Sequence, residues 1–204
     1  MPRDASATRA RLLREAERIF ARHGVYQATM REITEAAGQR NVSALTYHFG
    51  SREGVLWEIL RRHGDPTDLE RGELLVEPAE QMSTRQLVAA LLVPYSGRLA
   101  TPEGRDYLRI VAQLTDLFPT WRTEGPLSPP NLRRILGLLQ DRAGGSAADR
   151  VVYAVMLITS AMAERARIVD DGGDVRLGED AFLANLGDML VAGIETPGSP
   201  TLRG

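Results

Sequence analysis

Apolar residues recur along this chain at three-to-four spacing and almost nowhere alternate, a pattern that predicts helices and leaves little from which to build a sheet. Leu12, Leu13, Ala16, Ile19 and Phe20 give a first helix, capped by Ser6 or Thr8 and stopped by Gly24. Thr29 and Glu32 have the spacing of a capping box and open a short second helix through Ile33, Ala36 and Ala37, which Gly38 ends. Asn41 caps a third, Val42 to His48, and Ser51 caps a fourth that carries Val55, Leu56, Ile59 and Leu60 up to Gly64. Asp65-Pro66 is predicted to break the chain, so a head over residues 1–64 is expected before a body over 65–204. The body reads as a short helix around Leu69 to Val76, then helices over 84–99, 102–118, 130–143, 146–169 and 179–194.

Composition narrows the function classes. The 204 residues are 43% hydrophobic, enough for a real core. The longest uncharged apolar run, Val151 to Ala163, is too short to cross a bilayer core of about 30 Å. The first residues carry charges where a signal peptide needs an apolar stretch, so a cytoplasmic protein is expected. Cysteine is absent, which excludes disulfides and thiolate chemistry, and every basic residue is arginine, which excludes a Schiff-base or phosphate-loop lysine. No paired carboxylates and no nucleophile with its base stand at readable spacing, so neither an enzyme nor a cofactor is expected. Asp170, Asp171 and Asp174 lack the spacing of a calcium loop and read as a solvated turn. Gly144-Gly145-Ser146 reads as a helix stop followed by an N-cap, and His23 and His63 as residues near helix ends. Charge is unevenly spread: residues 1–64 hold 11 arginines against 7 acids and residues 65–204 hold 14 against 20. A basic head on an acidic body points to a polyanionic partner for the head.

Two short helices joined by a tight turn after Gly38, flanked by longer amphipathic helices, match a helix-turn-helix whose later helix enters the major groove of DNA. The run Thr29 to Gly38, TMREITEAAG, followed by Ser43 to Leu56, SALTYHFGSREGVL, resembles the TetR family of transcriptional regulators over residues 9 to 60 or so. The resemblance implies an all-α fold, with a three-helix DNA-binding head and a helical body for ligand binding and dimerisation. It also implies roles for particular residues. Thr29, Tyr47, His48 and Arg52 would grip phosphates, with Arg52 in place of the family's usual lysine. Arg31, Val42, Ser43 and Ala44 would face base edges, Arg31 able to reach guanine N7 and O6. Thr46 stands where most relatives have a tyrosine, Tyr47 follows it, and Asn41 belongs to a turn one residue longer than usual.

In the body, Ala154, Ala161 and Ile168 form a seven-spaced ridge beside an apolar face. The last helix adds Phe182, Leu186, Met189, Leu190 and Ile194. Two such faces suggest a homodimeric four-helix bundle, and the resemblance implies the same pairing. Tyr95, Tyr107, Leu114, Phe118, Trp121 and Met156 supply more large side chains than a thin bundle needs, and so are expected to line a pocket for a small apolar effector. The leading reading is a repressor that leaves a near-palindromic operator when that effector binds. A helical enzyme and a protein-binding adaptor are the alternatives from other classes.

Overall fold

The computed structural model describes residues 2–114, 128–144 and 149–197, with side chains from residue 5 onward. Nine helices run through the described residues: α1 (Pro2–His23), α2 (Met30–Ala36), α3 (Ser43–Phe49), α4 (Arg52–Leu74), α5 (Thr84–Ser96), α6 (Pro102–Ala112), α7 (Pro130–Ala143), α8 (Asp149–Asp170) and α9 (Glu179–Glu195). The all-α expectation holds. The first helix starts earlier than its capping residues suggested, since Ser6 and Thr8 lie within α1.

The head is built on α1 to α3 and the first turns of α4, whose buried Leu12, Ala16, Phe20, Ile33, Leu45, Val55 and Ile59 belong to one continuous core. Its sharpest corner joins α3 to α4. Gly50 takes φ +74°, the left-handed region that favours glycine, and the Ser51 hydroxyl caps α4 by accepting from the Gly54 N–H at 3.0 Å. A Cβ on Gly54 would stand 2.0 Å from the Phe49 carbonyl oxygen, so only glycine lets the end of α3 lie against α4.

The predicted break at Asp65-Pro66 does not occur, because α4 continues through Pro66 to Leu74. Proline there forfeits one N–H, and the carbonyl it would have bonded belongs to Arg62, an exposed residue whose backbone water can serve. On the opposite face the helix is pinned. The Thr67 hydroxyl donates to the His63 carbonyl at 2.7 Å, and both Asp68 carboxylate oxygens accept from the first N–H groups of α7, Asn131 at 3.0 Å and Leu132 at 2.8 Å. The segment read as a separate helix from Leu69 is therefore the end of α4.

Head and body are joined by more than α4. The Gln113 side chain donates to the Phe20 carbonyl at 3.1 Å and accepts from the Val25 N–H at 2.6 Å. Glu17, only 1% exposed, hydrogen-bonds His63 and pairs with Arg62 at 3.4 Å, while the His63 ring stacks on Tyr107 of α6 with centroids 5.0 Å apart. His63 thus sits mid-helix in the interior, where the continuation of α4 has carried it away from any helix end. Asp170 ends α8 and stays exposed, and Arg105 and Arg109 of α6 both hold its carboxylate.

Asp106 shares this region, and its carboxyl is pushed up to about 6, first by burial, with Glu17 and Asp170 adding and Arg109 and Arg22 opposing. Between the ordinary aspartate range and about pH 6 the folded protein keeps a proton that the unfolded chain releases, so stability falls as pH rises through that window. Asp106→Asn should remove this slope. Melting curves should show the variant above the wild type at neutral pH and level with it below about pH 4. A variant that melts lower at neutral pH would mean that the contact to Arg109, at 3.3 Å, outweighs the cost of burial.

Candidate nucleic-acid interface

The helix-turn-helix is assembled from local hydrogen bonds. Thr29 caps α2 in a complete capping box, accepting from the Glu32 N–H at 3.2 Å while the Glu32 carboxylate takes the Thr29 N–H at 2.8 Å. Those contacts, with the Thr29 hydroxyl itself donating to Glu32 at 2.8 Å, hold the Glu32 carboxylate below the ordinary range. Gly38, at φ +70°, lets the chain reverse. The Asn41 side chain then accepts from the Ser43 N–H at 2.9 Å and its carbonyl accepts from the Ala44 N–H at 3.1 Å, so Asn41 forms the turn ahead of α3, whose N-cap is Val42, one residue later than the sequence suggested.

What α3 shows to solvent follows from its register. Leu45 is fully buried and fixes the inner face, and Ala44, His48 and Phe49 lie half-buried beside it. Val42, Ser43, Thr46 and Tyr47 face outward, with Tyr47 82% exposed and its ring edge-on to His48 at 5.0 Å. A large aromatic held at that exposure is not packing the head. Residues 36–50 contain no acidic side chain in a chain of which a quarter is charged.

The arginines divide differently from the expectation. Arg31 is exposed on α2, but its Nε donates to Glu35 at 2.7 Å, which holds its guanidinium above the ordinary range; a base contact must use the Nη groups alone or break that pair. Arg52, expected on a phosphate, is turned inward. Its guanidinium carbon lies 5.8 Å from the centroid of the Phe20 ring, and Nε and one Nη are buried without hydrogen-bond partners among the described residues. Arg40 carries no family role in the sequence reading. It is exposed in the turn ahead of α3, with no ion pair among the described residues. Its signal in the sequence is only that of a lone cation inside the acid-free stretch.

Residues 12–59 match the family model described as bacterial regulatory proteins, tetR family. That stretch is similar to the DNA-binding head of TetR-family regulators. The matched stretch covers the second half of α1, all of α2 and α3, and the first part of α4. Among curated proteins, the transcriptional repressor AcnR of Corynebacterium efficiens is 31% identical over 113 residues, 55% of this chain and 52% of that protein, and AcnR of Corynebacterium glutamicum is 29% identical over the same shares. The chain thus spans about half the length of the curated relatives it matches. Among solved structures, a Rhodococcus protein assigned to the TetR family aligns with a TM-score of 0.49 at 16% identity, covering 93% of this chain and 99% of that one.

Behind the head, the residues expected around an effector do not form one group. Tyr95, Tyr107 and Leu114 are buried in the body, and the two tyrosine rings meet edge to face at 6.2 Å. Met156 is instead on the exposed side of α8 with Tyr153 and Leu157, and Phe118 and Trp121 lie outside the described residues. The expected dimer residues also separate. Leu186 and Leu190 are buried within the protomer, Ala154, Ala161, Ile168 and Phe182 are half-buried, and Met189 is 55% exposed. Tyr153, Ala154, Leu157, Met189 and Gly193 line a surface groove of about 430 Å³ between α8 and α9.

Proposed function

We propose that the protein is a homodimeric, DNA-binding transcriptional regulator, a repressor released from a near-palindromic operator by a small molecule bound in its body. The acid-free, outward face of α3, crowned by Tyr47, is the observation that carries the DNA reading. A surface without carboxylates can approach a phosphate backbone without repulsion, and hydroxyls and a phenol can bond phosphates and base edges. Repression is supported by the curated relatives, both named as repressors. No helix among the described residues is long and apolar enough to cross a membrane, and the proposed place of work is the cytoplasm, with the DNA. Dimerisation through the exposed apolar faces of α8 and α9 would set two copies of α3 in successive major grooves about 34 to 36 Å apart. Selection of duplexes from a random pool should therefore return near-palindromes, and a pool that yields no enriched sequence would overturn the proposal.

Within that reading, Arg40 takes the phosphate role that the family pattern gives to Arg52, and Arg31 keeps the base role after leaving Glu35. Arg40→Ala should weaken binding to selected and random duplexes alike and flatten the salt dependence by about one unit of slope for each phosphate the side chain no longer neutralises. Arg31→Ala should cost on the order of tenfold or more on the selected site and little on random DNA. Titrations at several salt concentrations separate the two, and equal losses on both DNAs for both variants would void this division.

A further inference from the structure

Where α4, α5 and α6 meet inside the body, the chain gathers hydrogen-bond donors and no free acceptor. Arg71, in the last turns of α4, is 7% exposed, and its Nε is buried without a hydrogen-bond partner among the described residues. The carboxylate of Asp68, one turn earlier in α4, stands 3.8 Å from its Nη1, beyond hydrogen-bond reach, because both oxygens of Asp68 are engaged by the α7 backbone. Tyr95 of α5 is 4% exposed, and its hydroxyl likewise has no partner among the described residues. Tyr107 of α6 adjoins Tyr95, and the Arg71 charge is felt at both rings. Other charges act on this region: Arg98 pairs with Glu70 at 2.5 Å through one Nη while its Nε is buried without a partner among the described residues, and Asp65 is felt at Tyr107.

Such an arrangement is costly unless something completes it. A guanidinium stays charged in any protein interior, and burial lowers the Arg71 pKa without making the group neutral at physiological pH. Burial, the largest influence on each, raises the pKa of both phenols, so their hydroxyls remain protonated donors. One buried cation with neighbouring phenol donors fits an oxyanion of single charge; a dianion would carry in a charge that nothing here offsets. The planar fork of arginine matches the two oxygens of a carboxylate. The continuous apolar core to which Tyr95 and Tyr107 belong favours a ligand whose remainder is apolar.

We propose that Arg71, with Tyr95 and Tyr107, forms the polar end of a small-molecule site in the body, and that its ligand is an apolar monocarboxylic acid. This deepens the effector reading above, on which it rests, and changes it from a purely apolar compound to an anion with an apolar tail. The test uses the purified full chain with straight-chain and aromatic monocarboxylates, each beside its primary amide, and reads thermal stabilisation and calorimetric affinity in the absence of DNA. At least one acid should raise the melting temperature while its amide does not. Arg71→Met should lower affinity for that acid at least about tenfold, and Tyr95→Phe should lower it severalfold. Without ligand Arg71→Met should melt below the wild type, because it leaves the buried Asp68 carboxylate without the cation 3.8 Å away. The proposal is overturned if no acid of the series stabilises the protein, if acid and amide bind alike, or if Arg71→Met binds acids as the wild type does. Should Arg71→Met fail to fold, Tyr95→Phe alone decides, with unchanged acid affinity counting against the site. Acids that bind but leave an operator complex intact in a mobility-shift assay would refute release by effector and leave the site standing.

Discussion

Replacing Met189 with glutamate should turn the dimer into a folded monomer and lower affinity for a palindromic duplex by a hundredfold or more. Met189 is exposed in the single protomer, so the substitution leaves the fold of one chain intact. In a two-fold interface the same residue is buried twice, once from each side, and each copy would bring an unpaired carboxylate into an apolar seam. A monomer grips one half-site and forfeits the tethering that makes the second contact nearly free of translational cost. Leu186→Glu is the contrasting substitution. That residue faces the protomer interior, and its replacement should unfold the chain instead of splitting a dimer. Light scattering and melting curves distinguish the two outcomes. A Met189→Glu protein that remains dimeric would remove the α8 and α9 face as the interface.

A large loss of stability, short of unfolding, is expected at Glu17. Its carboxylate is buried between His63 and Arg62, and Glu17→Ala leaves both without their acceptor at the seam between head and body. Removing one member of a buried pair costs roughly 3 to 5 kcal/mol, which for a chain of this size is a fall in melting temperature on the order of 10 °C. Glu17→Gln keeps an oxygen that can accept from either partner and should lose about half as much. If Glu17→Ala melted within a degree or two of the wild type, the pair would be a passenger and the seam would be held by apolar packing alone.

The helix-turn-helix was legible in the sequence because its determinants are local. Thr29 with Glu32, Gly38 and Ser51 each act over two to five residues, and each does in the structure what its position suggested, while Asn41 turns the chain one residue ahead of the Val42 cap. What failed to read were features decided by distant partners. Pro66 looks like a helix breaker until Asp68 is seen anchoring α7 and the freed carbonyl is found on an exposed residue, Arg62. Arg52 has the position of a phosphate ligand, but the ring of Phe20, 32 positions earlier in the chain, draws its guanidinium inward. In α9 the apolar stripe is wide, and periodicity cannot say that Leu186 and Leu190 serve the protomer while Met189 faces out. The Arg71 and Tyr95 cluster was invisible for the same reason, since three helices must meet before its missing acceptor shows.

The continuity of α4 through Pro66 has a practical side for anyone recombining such proteins. A splice at residue 65, the place the sequence invites, would cut the middle of a 23-residue helix. It would keep Glu17 with His63 and Arg62, yet strand all three without Tyr107 above them. A transplanted head would also arrive without Gln113, which binds both sides of the bend after α1. The exchangeable unit is therefore larger than the DNA-reading module: grafting a new operator preference onto this body means rewriting the outward residues of α3 in place, not swapping the head.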